Sequence, residues 1–189
     1  MIEFRASIVI GSGSLSFQLI RSLVEKLPIM ITPKWVQVSA QPIAIEDLVE
    51  YLEGALFLPD SSSRVYEIGG ADQVSYADIM RTYGSCRNIA VRMIPVPFLS
   101  PYISSLWLGL ITPLYARIGR KLIQSIVHST VVRDESALKV FNIKPMGVND
   151  AIRRAIDKED KAFSETRWSD SISSSGKMLS WPSGLMGRG

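Results

Sequence analysis

The sequence predicts an α/β fold, and three observations predict it. Short runs rich in β-branched residues recur, each closed by Gly, Pro or Ser. Between them lie stretches whose apolar residues are spaced three or four apart, the period of an amphipathic helix. This alternation stops after Pro97, where the remaining pattern reads as helical. Strands alternating with helices are the signature of a sheet covered by helices.

Ser7–Ile10 is an apolar β-branched run ending in the turn Gly11-Ser12-Gly13-Ser14, and the spacing predicts a helix from about Ser16 to Lys26. Phe17, Ile20, Leu23 and Val24 form its apolar face, and Pro28 ends it. Trp35–Val38 and Gln41–Ala44 read as extended. Ile45, Leu48, Leu52, Ala55 and Leu56 then fall on one helical face, while Glu46 and Asp47 in the first turn complement the helix dipole. Arg64–Ile68 alternates like a strand and closes on Gly69-Gly70. Ser75-Tyr76-Ala77-Asp78 has the form of a capping box, with a helix to about Tyr83 and Gly84 as its stop. Val91–Ile94 is another extended run.

Beyond Pro97, Leu106–Ile111 is oily, and Ile118, Leu122, Ile123 and Ile126 mark an amphipathic helix. A short helix starts at Asp134 or Ser136. Val148, Ile152, Ala155, Ile156 and Phe163 mark the last one, with Asn149 as its cap. Residues 166–189 are rich in Ser and Gly without periodicity, and loss of order is expected from about Trp168.

Composition narrows the function. Hydrophobic residues make up 47% and charged residues 21%, a globular balance. The net charge of +3 is spread along the chain among acids, so no basic stripe points to nucleic acid. The lone cysteine, Cys86, has no partner for an internal disulfide. Together with an N-terminus that lacks the pattern of a signal peptide, it favours a cytoplasmic setting. Cys86 and the single histidine, His128, have no neighbours at metal-ligand spacing, so no metal site is expected. Met93 to Ala116 carries no charge, but Pro95, Pro97, Pro101 and Pro113 interrupt it. The unbroken piece, Tyr102 to Thr112, is shorter than the roughly 20 residues that a bilayer requires. A buried or substrate-lining helix is the expectation there, with a membrane anchor at 98–116 as the alternative.

Four segments in order carry a family resemblance: Glu3 to Gly13; Gln41-Pro42-Ile43-Ala44-Ile45-Glu46-Asp47-Leu48; Val65-Tyr66-Glu67-Ile68-Gly69-Gly70 with Val74 to Asp78; and Ile94-Pro95-Val96-Pro97. They resemble the second half of an extended or atypical short-chain dehydrogenase of the NAD-dependent epimerase/dehydratase superfamily. NmrA-like and YbjT-like NAD(P)-binding proteins are the most similar in appearance. The first resembles the late strand that follows an Arg and ends over the active site, the second the "V-x-D-V" strand leading into a helix. The third resembles the "nIGG…lTyaEl" segment, and the fourth the approach to the C-terminal helices. The resemblance covers about Ile2 to Phe163.

It implies the C-terminal portion of a Rossmann-like doubly wound parallel sheet at 1–95 and a small helical lid at 96–165. It also implies NAD or NADP as cofactor in an intact relative, with hydride transfer or sensing of the cofactor's redox state as the activity. Ala6, Ser7, Ile8 and Gly11 would border the nicotinamide end. Arg5, Ser12, Gly13, Tyr102 and Trp107 would face a small-molecule substrate. Arg5 suits an anionic ligand or a surface ion pair, and both remain open. Tyr102 and Trp107 suit an apolar pocket or core packing.

The departures are as informative. No G-x-x-G-x-x-G turn is present, and none of the six tyrosines has Lys four residues later. Gly11-Ser12-Gly13 lacks the third glycine of a dinucleotide loop, since Ser16 holds that position. In the family these elements belong to an N-terminal half, so the chain is expected to be a fragment without catalytic residues of its own. Alone it is expected to bind NAD(P) weakly or not at all.

Overall fold

The computed structural model describes residues 1–27, 29–32, 34–58, 63–95 and 128–174. The expected oily helix, the helix through Ile126, and both Tyr102 and Trp107 lie outside the described residues, as does the chain beyond 174.

The elements run β1 (Ile2–Ala6), β2 (Val9–Ile10), α1 (Leu15–Lys26), β3 (Ile29–Thr32), a 3-10 turn (Lys34–Gln37), β4 (Ser39–Ala40), β5 (Ile43–Ala44) and α2 (Ile45–Leu56). They continue with β6 (Arg64–Ile68), β7 (Val74–Ser75), α3 (Tyr76–Cys86), β8 (Arg92–Pro95), α4 (Ser136–Phe141) and α5 (Val148–Ser174). β1 pairs in parallel with β6, Ile2 opposite Arg64 through Ala6 opposite Ile68. β2 pairs in parallel with β5, and β3 with β8, while β4 and β7 are antiparallel. Parallel partners need a long crossover, and here each crossover contains a helix.

The short β2–β5 pair separates two cores. Ile10 and its partner Ala44 face the first, formed by Phe17, Ile20 and Val24 of α1, Ile79 and Tyr83 of α3, and Ile152 and Ala155 of α5. Val9 and its partner Ile43 face the second, where Tyr51 of α2, Tyr66 and Ile68 of β6, Ala137 of α4 and Ile143 pack together. A parallel pair buried on both faces by helices is what a doubly wound sheet requires. Phe4, Tyr51, Tyr66 and Phe141 close the second core as an aromatic cluster, with ring centroids 5.2–6.1 Å apart. On the first side, the Tyr83 hydroxyl donates to Glu25 at 2.6 Å, and Arg21 pairs with both Glu25 and Glu159.

Several sequence expectations change. The expected strand at Ser7–Ile10 shortens to β2, Val9–Ile10, and a separate strand, β1, precedes it, because pairing to β6 holds the mixed-polarity run Ile-Glu-Phe-Arg-Ala extended. Lys34–Gln37 is a 3-10 turn, not extended. Helix α2 buries Asp47 and Tyr51, while Leu52 is 50% and Leu56 81% exposed. Asp47 can sit inward because its carboxylate accepts the Met146 backbone N–H at 2.7 Å, a pairing that hydrophobic periodicity cannot register. Gly84 lies inside α3 instead of stopping it: a Cβ there would meet Val91 Cγ2 at 2.3 Å, and the turn to positive φ comes at Asn88. The α5 N-terminus is held by Asp72, which accepts from Val148 N–H at 2.8 Å, so Asn149 is an internal helical residue. That helix is described to Ser174. The capping box stands as read: Ser75 Oγ accepts from Asp78 N–H, and Asp78 accepts from Ser75 N–H at 3.1 Å.

Candidate functional site

In open α/β sheets, ligands bind outside the carboxyl ends of the parallel strands. At the ends of β1 and β6 the structure has a cleft of about 250 Å³ lined by Arg5, Ala6, Ser7, Glu67, Ile68 and residues 129–133. Strand pairing sets four of these side by side, since Arg5 is the register partner of Glu67 and Ala6 that of Ile68, and Ser7 follows directly on the end of β1.

The remaining wall arrives from far along the chain and is held by hydrogen bonds. Thr130 bridges to Ala40, its N–H donating to Ser39 O at 3.1 Å and its carbonyl accepting from Gln41 N–H at 3.2 Å. Val132 N–H donates to Gln41 Oε1 at 3.0 Å. The Glu67 carboxylate accepts the N–H groups of Arg133 at 2.7 Å and Asp134 at 3.2 Å. Those two donors hold Glu67 below the usual carboxylate range, so it is ionised at the cleft.

Three hydroxyls meet at the inner end. Ser7 Oγ and Thr130 Oγ1 share a hydrogen bond of 2.5 Å, and the Tyr76 side chain hydrogen-bonds to Thr130 in turn. Burial pushes the Tyr76 phenol up to about 12, against a weaker opposite effect of Thr130. Tyr76 is therefore a neutral hydrogen-bonding group near pH 7, not a poised proton donor. Arg5 projects from the outer end. Its Nε donates to Glu3 at 2.8 Å, and the guanidinium pKa rises chiefly through that bond. Its side chain is 62% exposed, so the ion pair is weak and leaves the guanidinium accessible.

Of the residues singled out in the sequence, the cleft brings together Arg5, Ala6 and Ser7. Ile8 is buried in the first core. Gly11 is buried against Ile45: a Cβ there would lie 2.6 Å from Ile45 Cγ2, so this glycine serves close packing of turn on helix. Ser12 and Gly13 are exposed on the turn, away from the cleft lining, and Gly13 carries a φ of 81°. The turn's polar groups are spent internally, Ser14 N–H on Gly11 O at 3.1 Å and Ser14 Oγ on Val9 O at 2.7 Å. This arrangement does not form a phosphate cradle. Glu67, Ser129, Thr130 and Arg133 complete the cleft and were not singled out. Their only sequence signal was the pair of glycines that halts β6 just past Glu67.

Among the described residues no group of His, Cys, Asp and Glu is placed to hold a metal ion. Among them too, no helix is long and apolar enough to cross a membrane.

No family model matches the chain, and no curated protein does. Solved structures do match. UDP-glucose 4-epimerase from Thermotoga maritima, solved with UDP-glucose, is 9% identical over 86% of this chain and 46% of its own, with a TM-score of 0.59. UDP-glucuronic acid 4-epimerase from Bacillus cereus, solved with UDP-glucuronic acid and NAD, is 15% identical over 84% and 45%, with a TM-score of 0.56. RMD from Pseudomonas aeruginosa, solved with NADPH, is 10% identical over 82% and 47%, also at 0.56. The chain thus spans slightly under half the length of these structures. Its fold is that of the C-terminal part of Rossmann-like epimerase structures.

Proposed function

We propose that this chain is the C-terminal part of an NAD(P)-dependent oxidoreductase of the short-chain dehydrogenase type, close in kind to the NmrA-like and YbjT-like proteins. The observation that carries this reading is the placement of Arg5, Ala6 and Ser7 in a cleft at the carboxyl ends of the parallel strands β1 and β6. In this reading Ala6 and Ser7 border the nicotinamide end of the cofactor, and Arg5 lies on the substrate side. A volume of about 250 Å³ is below the roughly 300–1,000 Å³ of complete ligand pockets, and so suits one end of a dinucleotide. A bound nicotinamide cofactor supplies hydride chemistry. This chain's share is to hold the ring end against Ser7 and Thr130 and to narrow access with residues 129–133.

The second reading is a cofactor sensor of the NmrA-like type without turnover, which would use the same cleft. Both readings belong to a cytoplasmic protein with a reduced Cys86.

Saturation-transfer NMR with millimolar nicotinamide mononucleotide tests what the two readings share. Transfer to the nicotinamide ring protons, lost in Ser7→Trp, is the expected result. No transfer, or transfer unchanged by Ser7→Trp, contradicts it.

A further inference from the structure

Behind the Glu67–Ile68 wall lies a second cleft, of about 310 Å³, bounded by the end of β6, α2 and the segment through Pro145. Its lining includes Tyr51, which is fully buried and whose hydroxyl has no hydrogen-bond partner among the described residues. Buried hydroxyls are nearly always paired, so one left open against a cleft is a donor available to a ligand there. The rest of the lining limits what that partner is. Gln41 is committed on both sides of its amide, donating to Gly70 O at 2.8 Å and accepting from Val132 N–H at 3.0 Å. Glu67 is engaged by two backbone N–H groups. Glu135 remains at the exposed rim as an acceptor. The charged residues of the lining are these two glutamates, and both are negative. Ile68, Val132, Leu138 and Pro145 supply apolar walls.

We infer that this second cleft binds a small uncharged ligand carrying a hydroxyl on an apolar body. The ligand oxygen accepts the Tyr51 O–H, its own O–H donates to Glu135, and its body lies against Ile68, Leu138 and Pro145. Two carboxylates in a partly desolvated cleft repel an anion. The two clefts share the wall of Glu67, Ile68 and Val132, but neither Arg5 nor Ser7 lines the second, so its occupancy is read independently of the cofactor proposal.

The test is a fluorine NMR titration of the full 189-residue chain with 4-fluorobenzyl alcohol and, separately, 4-fluorobenzoate. The alcohol is expected to bind saturably and the benzoate not. Tyr51→Phe, which removes only the hydroxyl, should weaken the alcohol about five-fold, the worth of one hydrogen bond. Leu138→Trp fills the mouth of the cleft from an exposed helix position and should abolish binding; it carries the test if Tyr51→Phe alters the fold. Absence of saturable alcohol binding, equal binding of the benzoate, or an affinity indifferent to these substitutions overturns the inference.

Discussion

At the residue scale, the most instructive side chain is Asp47. It lies in the first turn of α2, where an acid is expected to face solvent and complement the helix dipole. Instead it is 5% exposed and caps the Met146 backbone N–H, tying α2 to the approach of α5. Asp47→Ala leaves that part-buried N–H without its partner and should cost about 1 kcal/mol in urea unfolding, with Asp47→Asn recovering most of it because the amide oxygen still accepts. A loss below about 0.5 kcal/mol for the alanine variant would show that the contact contributes little. Gly70 belongs to the same junction: a Cβ there would lie 2.2 Å from Pro42 O, so only glycine lets β6 turn against the chain preceding β5.

At the element scale, the sequence was most legible where the determinants are local. The Ser75–Asp78 capping box, the α1 face of Phe17, Ile20, Leu23 and Val24, and the strand Arg64–Ile68 depend on residues a few positions apart, and all are present. Burial of Asp47 and Tyr51 in α2, the Asp72 cap on α5 and the course of Gly84 through α3 depend on partners elsewhere in the chain, which periodicity does not contain. The capping box makes its own prediction. Asp78 is held below its usual pKa chiefly by the Ser75 hydroxyl, with Ser75 N–H and Arg81 adding to it. Its contribution to stability is complete above the unfolded value of about 3.9 and fades as pH falls through the lower folded value. Ser75→Ala should cost about 1 kcal/mol near neutral pH. It should also flatten the acid-side loss of stability below about pH 4. Parallel pH–stability curves for the two proteins would contradict this account of Asp78.

At the scale of the whole molecule, the cleft at β1 and β6 was half visible in the sequence. Arg5, Ala6 and Ser7 are contiguous with a strand end and could be read from it. The opposite wall could not, since the Ser7–Thr130 contact joins residues 123 apart. Among the described residues β1 pairs with β6 alone, and Ile29, Ile31 and Ile94 form an apolar strip about half exposed on the β3–β8 pair. Such an edge and such a strip are surfaces on which further strands or helices can pack. The Gly11–Ser14 turn, with its polar groups bonded inward, cannot stand in for a phosphate-binding loop. Under the proposed function this chain provides the nicotinamide end of a dinucleotide site and not its phosphate end. Calorimetric titration of the 189-residue chain with NADPH tests it most directly. Binding no tighter than about 100 µM is expected, and a dissociation constant in the low micromolar range would overturn the proposal.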